Sequence, residues 1–137
     1  MNEHEFIART VNEHLEKNLP VVLISLLDLK GSTPRHEGSK MAVGDGGKAF
    51  GTIGGSLLEA EAVNKARKVL KNGCSEIFTF DLTGVNVENP DMICGGNAEI
   101  LLEYMAPTEE NRLFVKQWYE NISNGQNCYL CTCLQRG

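Results

Sequence analysis

No stretch of this chain is long and apolar enough to span a bilayer. The longest such run, Pro20 to Leu27, is interrupted by Ser25 and closed by Asp28, well short of the roughly 20 residues a spanning helix needs. The N-terminus, Met-Asn-Glu-His-Glu, lacks the basic segment and apolar core of a secretory signal, so the cytoplasm is the expected compartment. An excess of positive charge is also missing. Thirteen Lys and Arg against 18 Asp and Glu give a net charge of −5 and a pI of 5.2, which argues against a general nucleic-acid binder. Nor is there a disulfide framework. The five cysteines are an odd number, and without an export signal they read as reduced thiols. Cys128 to Cys133 contains a CxxC, but a tetrahedral zinc site needs a second pair and none exists. Asn127 to Leu134 has the residue preferences of a strand, which would turn Cys131 and Cys133 to one side and Cys128 to the other. Small buried thiols are the expectation there.

What remains is an ordinary globular composition. The chain has 137 residues, 42% hydrophobic and 23% charged, enough for one domain with a real core. Phe6, Ile7, Val11 and Leu15 fall on one face of a helix over Glu3 to Lys17, with His4 and His14 expected toward solvent. Val21 to Leu29 reads as a buried strand, and Lys40 to Val43, a Gly44–Gly47 turn and Lys48 to Ile53 as a hairpin. Ser56 and Glu59 form a capping-box pattern opening a helix that Gly73 closes. Strands at Ile77 to Leu82 and Glu99 to Tyr104 and a helix from Glu109 to Ile122 follow. The expected fold is a single α+β domain: a mixed, mostly antiparallel sheet flanked by about three helices, with the glycine loops gathered at one end. Val22 to Gly31 and Cys128 to Gly137 share an outline of apolar strand formers closed by a basic residue and glycine. The chain thus stops where another loop would start, as a fragment of a longer protein would.

Three glycine-containing segments follow strands: Gly31 to Arg35, Gly51 to Gly55, and Cys94 to Gly96. Glycine allows close backbone approach and positive φ, so such loops can turn N–H groups toward an anion, most effectively where a helix begins at Ser56. The acidic chain also carries a basic island, with Lys30, Arg35, Lys40 and Lys48 against Glu37 and Asp45. Arg35 and Lys40 can supply full charges, and His36 can reach a bound anion. Turn glycines beside a capped helix and a solvated hairpin are the plainer alternative. Neither common phosphate motif fits. Gly47-Lys48 is followed by Ala49, which spoils a P-loop, and Gly44-Asp45-Gly46 leads into a strand where a dinucleotide fingerprint needs a helix. Cys94 beside Gly95-Gly96 suits a stabilised thiolate, for a soft metal, sulfur transfer or redox work, or else a buried turn. Glu59 reads as a capping partner before a general base, and Asp28 and Glu99 as polar groups at strand ends.

The ordered set Gly31-Ser32-Thr33-Pro34-Arg35, Gly38-Ser39-Lys40-Met41, Gly51 to Glu59 and Cys94-Gly95-Gly96 resembles the N-terminal region of the XdhC/CoxI family, from about Val21 to Glu103. That family comprises accessory proteins that handle the molybdenum cofactor for xanthine dehydrogenase and related molybdenum hydroxylases. The resemblance implies a chaperone, not an enzyme in the usual sense. It would bind molybdopterin as cargo, support its sulfuration and pass it to the apo-hydroxylase. The implied partners are a xanthine dehydrogenase-like hydroxylase and a cysteine desulfurase; separately, exposed sheet edges or an apolar helix face could make a homodimer, and charge and hydropathy leave no nucleic acid or membrane expected. The implied cofactor-binding residues are Gly31, Ser32, Pro34, Arg35, Lys40, Gly54, Gly55, Ser56, Cys94, Gly95 and Gly96, with Cys94 the candidate metal ligand. Two departures stand out. Ser56 and Leu57 occupy positions where family members often have a third glycine and then Cys, His or Arg, and the fingerprint of a C-terminal Rossmann-like domain is absent. Residues 1–137 would then be one N-terminal domain, as a fragment or a short member. The competing readings are a sulfur-transfer or redox protein using Cys94, and an interaction module whose loops dock a partner.

Overall fold

The structure is a computed structural model that describes residues 2–30, 38–81 and 97–134. Its elements are α1 (Glu3–Glu16), β1 (Val21–Lys30), β2 (Lys40–Gly44), β3 (Lys48–Gly51), α2 (Ser56–Asn72), β4 (Glu76–Asp81), β5 (Asn97–Met105) and α3 (Glu109–Ser123). The strands form one sheet in the order β3-β2-β1-β5-β4. Every pairing in it is antiparallel. Three helices and a five-stranded sheet make the expected single α+β domain.

Alternation along the strands splits the core into two faces. On one, Val22, Ile24 and Leu26 of β1, Met41 and Val43 of β2, and Ala98, Ile100 and Leu102 of β5 meet Leu58, Ala62, Val63, Ala66 and Val69 of α2. On the other, Val21, Leu23, Ala42 and Met105 pack with Ile7, Ala8, Val11 and Leu15 of α1 and Val115 and Trp118 of α3. Both faces of β1 are therefore covered, which is why its sequence runs Val-Val-Leu-Ile without polar alternation. Helix α2 starts after one edge strand and ends before the other, so it lies across the sheet it covers.

The caps follow from local chemistry. Asn2 accepts the Glu5 N–H at 2.7 Å to start α1, and Thr108 accepts the Asn111 N–H at 3.1 Å to start α3. Gly73 closes α2 in the left-handed conformation, φ 71°, ψ 18°.

Four local expectations are corrected. His14 is buried, with Nδ1 2.8 Å from the Thr10 carbonyl and its ring edge-on to Phe50. The sequence gives no sign of this, because the covering residue arrives from β3. Strand β3 ends at Gly51 rather than Ile53, since φ 84° turns the chain out of the ladder. The N-cap of α2 is Gly55, one residue before Ser56. Residues 126–134 form no strand, and Cys128, Cys131 and Cys133 are exposed. No described strand offers that segment a ladder, so its outline similarity to β1 does not become structure.

Candidate functional site

The register sets which strand ends are neighbours at one end of the sheet. At that end β1 finishes at Lys30, which pairs with Asn97 at the start of β5, and Asn97 pairs in turn with Asp81 at the end of β4. Strand β2 begins at Lys40, opposite Ser25 in the middle of β1. Strand β3 finishes at Gly51, opposite Met41, which itself pairs with Ile24. The start of β2 and the end of β3 therefore lie level with the middle of β1, not beside Lys30. Gly31 follows Lys30, Gly96 precedes Asn97, and residues 52–55 follow β3. Paired antiparallel residues have Cα atoms about 4.5–5.5 Å apart, so Lys30 and Asn97 are close neighbours. Gly31, Ser32, Pro34, Arg35, Cys94, Gly95 and Gly96 themselves lie outside the described residues, as does His36.

Residues 52–55 have a defined geometry. The Glu59 side chain, one turn into α2, reaches back so that its Oε1 accepts from the Thr52 hydroxyl, from the Ile53 N–H at 3.2 Å and from the Gly55 N–H at 3.0 Å. The Gly54 N–H donates to Thr52 Oγ1 at 3.2 Å. Gly54 and Gly55 have φ of 132° and 76°, and at Gly55 ψ is −168°, a region open essentially to glycine alone. The capping partner of the sequence pattern is thus Glu59 acting on Gly55 and the loop before it. The loop's donors already hold an anion, and that anion is the protein's own carboxylate. This was missed because the Ser56–Glu59 spacing points to a box centred on serine. The signal that could have found it is a glutamate one turn after a double glycine, where no side chain at the N-cap can bind it.

Lys40 is not brought to this loop. β2 alternates, so Lys40 shares the face of Ala42, opposite the face on which Ile53 packs with α2. There its Nζ donates to Ser25 Oγ at 2.8 Å, within the field of Glu103. Burial lowers the Lys40 pKa and the Glu103 charge partly restores it; burial raises the Glu103 pKa and Lys40 opposes the rise. Beside Glu103 runs a groove of about 500 Å³ between strands β4 and β5 and residues 132–134, floored by Ile77 and Leu101. Sequence patterning marks Glu103 only as an inward position on β5, with no hint of its partner 63 residues earlier in the chain.

A model of the XdhC and CoxI family matches residues 14–81. The chain belongs to the XdhC and CoxI family. The match takes in Gly31 to Arg35 and Gly51 to Glu59 and stops before Cys94. The chain is 28% identical over 87 residues to the uncharacterized protein YqeB of Escherichia coli K12, across 64% of this chain and 16% of YqeB. It also resembles the crystal structure of a Bacillus halodurans protein described as a xanthine dehydrogenase, with a TM-score of 0.66 and 25% identity, across 86% of this chain and 35% of that one. The chain thus spans well under half the length of either protein. Among the described residues no helix is long and apolar enough to cross a membrane, and no group of three or more His, Cys, Asp or Glu is arranged to hold a metal ion.

Proposed function

We propose that this chain takes part in the maturation of xanthine dehydrogenase-type enzymes as the cofactor-handling domain of an accessory protein. It binds the molybdopterin form of the molybdenum cofactor as cargo, supports its sulfuration and hands it to the apo-hydroxylase. A cysteine desulfurase is the partner at the sulfuration step. Membership of the XdhC and CoxI family and the likeness to a protein described as a xanthine dehydrogenase support the setting. The observation that supports the reading is the pairing of Lys30 with Asn97, the described residues next in sequence to the Gly31–Arg35 and Cys94–Gly96 segments.

Molybdopterin presents a phosphate, a donor-rich pterin and a soft dithiolene-bound metal. In this reading Arg35 meets the phosphate as a charge-assisted fork. Cys94 supplies a thiol suited to the metal or its sulfur, and Gly54, Gly55 and Ser56 form the adjoining wall.

The test is anaerobic titration of the chain with molybdopterin, followed by its absorbance. Arg35→Ala should weaken binding by about 1.5–3 kcal/mol, and Cys94→Ser should remove support of hydroxylase sulfuration in reconstitution while leaving the fold intact. Unchanged affinity in the first variant, with the fold retained, rejects the phosphate role. Full reconstitution with the second rejects Cys94.

A further inference from the structure

We infer that the outer edge of β4 takes an added strand from a partner protein: an extended segment in which basic residues alternate with apolar ones, its basic side chains lying in the groove beside β4. Among the described strands the edges of the sheet are β3 and β4, and they are finished differently. β3 is four residues long, opens on Lys48 and turns out of the ladder at Gly51, φ 84°. Shortness, a lysine and a bend are the devices that keep an edge from pairing. β4 carries none of them. It runs Glu-Ile-Phe-Thr-Phe-Asp over Glu76–Asp81, and its register with β5 is unbroken from Glu76 opposite Leu102 to Asp81 opposite Asn97. Its outward N–H and C=O groups are therefore evenly spaced, between side chains that favour strands. Such an edge is a template for another strand.

The two faces beside this edge select the strand that fits. Ile77 and Thr79 lie on the groove side, where Leu101 joins the floor and Glu76, Glu99 and Glu103 line the walls. No described Lys, Arg or His lines it. Lys40 offsets part of the Glu103 charge, and the groove as a whole stays acidic. On the other face Phe78 and Phe80 pack toward α2, where Lys65 Nζ stands 5.0 Å from the Phe78 ring centroid. An added strand lies about 4.7–4.9 Å beyond β4, with every second side chain on the groove side. A Lys or Arg there lays its alkyl stem along Ile77 and carries its charge toward the carboxylates. The residues between them meet Phe78, Phe80 and the Lys65 ammonium, where apolar side chains fit and further cations are repelled. A second copy of this chain is the wrong partner. Antiparallel pairing of β4 with itself sets one acid-lined groove beside another and Lys65 beside Lys65, like charge against like. None of these residues belongs to the cofactor site proposed above.

The experiment uses the intact chain and three peptides of about eight residues, the length of an ordinary strand. One alternates Lys and Val, one alternates Glu and Val, and one holds Lys and Val in two separate blocks. Fluorescence anisotropy should show the alternating Lys-Val peptide binding at least about tenfold more tightly than either of the others, and more weakly as salt is raised. On binding, alternate β4 amides should gain protection from hydrogen exchange, because only every second N–H of an edge strand faces outward. Thr79→Lys, at an exposed position, puts a cation in the groove and should cost at least about tenfold in affinity for that peptide. Absence of binding, equal binding of the Glu-Val or the block peptide, protection away from β4, or unchanged affinity in Thr79→Lys overturns the assignment. A concentration-dependent dimer of the native chain with its β4 amides protected also overturns it, since the occupant is then a second copy. Should Thr79→Lys fail to fold by circular dichroism, the peptide comparison and the amide protection on the native chain decide alone.

Discussion

The imidazole of His14 lies so close to Gly44 that a Cβ at position 44 would sit 2.2 Å from Nε2 and 2.5 Å from Cδ2. The backbone at Gly44 is extended, φ −137° and ψ −144°, so the requirement for glycine comes from the neighbour and not from the dihedral angles. His14 has little room to yield, since Nδ1 is bonded to the Thr10 carbonyl and the ring packs edge-on against Phe50. Gly44→Ala should destabilise the chain by about 1–3 kcal/mol, the usual cost of overpacking. In a His14→Ala background the same change should cost far less, and urea unfolding of the four-member cycle measures that coupling.

Gly55 is the opposite case. Nothing lies within 4 Å of a Cβ built there, yet φ is 76° and ψ is −168°. Gly55→Ala should therefore cost about 1–3 kcal/mol through backbone strain alone, and no second-site truncation should relieve it. Removing the carboxylate that anchors the same loop, in Glu59→Ala, leaves three donors without their acceptor. A loss of about 1–3 kcal/mol is expected, with Thr52→Val costing less because Glu59 keeps its two backbone donors and only the hydroxyl's two bonds go. Thermal or urea unfolding checks all three variants.

These two glycines show where sequence reading succeeds and where it stops. Local periodicity finds α1, β1, the hairpin and α2, because burial of one stripe or one face leaves its mark in neighbouring residues. It also finds the double glycine before α2, since positive φ restricts residue choice. It does not find the order β3-β2-β1-β5-β4, because pairing joins residues far apart in the chain. The same blindness hid His14 against Gly44 and Lys40 beside Glu103. The error over residues 127–134 has another cause. Tyr, Leu, Thr and Cys favour strands only where a partner strand exists, and this segment has none among the described residues. For the site, the glycine loop before α2 was legible. The occupation of the Gly51–Gly55 loop by Glu59 was not.

Lys40 and Glu103 give a pH dependence whose sign follows from their burial. Burial holds the Glu103 pKa above the usual carboxylate value, so the folded chain binds that proton more tightly than the unfolded one. The stability it brings is complete below the ordinary glutamate pKa and is lost as pH rises through the raised folded value. The Lys40 pKa is lowered by burial, so its contribution is complete above the ordinary lysine value and is lost as pH falls through the folded one. In its charged form each group carries a desolvation cost that the other's opposite charge partly offsets. Lys40→Met alone should destabilise the chain at neutral pH, with the deficit shrinking on acidification as Glu103 protonates. Lys40→Met combined with Glu103→Gln should restore stability at neutral pH and flatten the pH profile of unfolding. A deficit that grows on acidification would contradict the assignment.

The thiols of the last segment should behave as surface groups. Cys128, Cys131 and Cys133 are exposed, as is Cys74 after α2, and Tyr129 between them is 93% exposed. Buried strand thiols would react with a neutral disulfide reagent only after unfolding, whereas exposed ones react in the native state at rates set by their thiolate fraction. Native labelling should therefore modify these four at rates close to those in denaturant, and peptide mapping by mass spectrometry identifies which have reacted. Leu130, between Cys128 and Cys131, packs against the α1–α3 side of the core. Leu130→Ser should release the segment and leave the labelling of Cys74 unchanged. Protection of Cys131 or Cys133 until global unfolding would restore the buried strand that the sequence suggests.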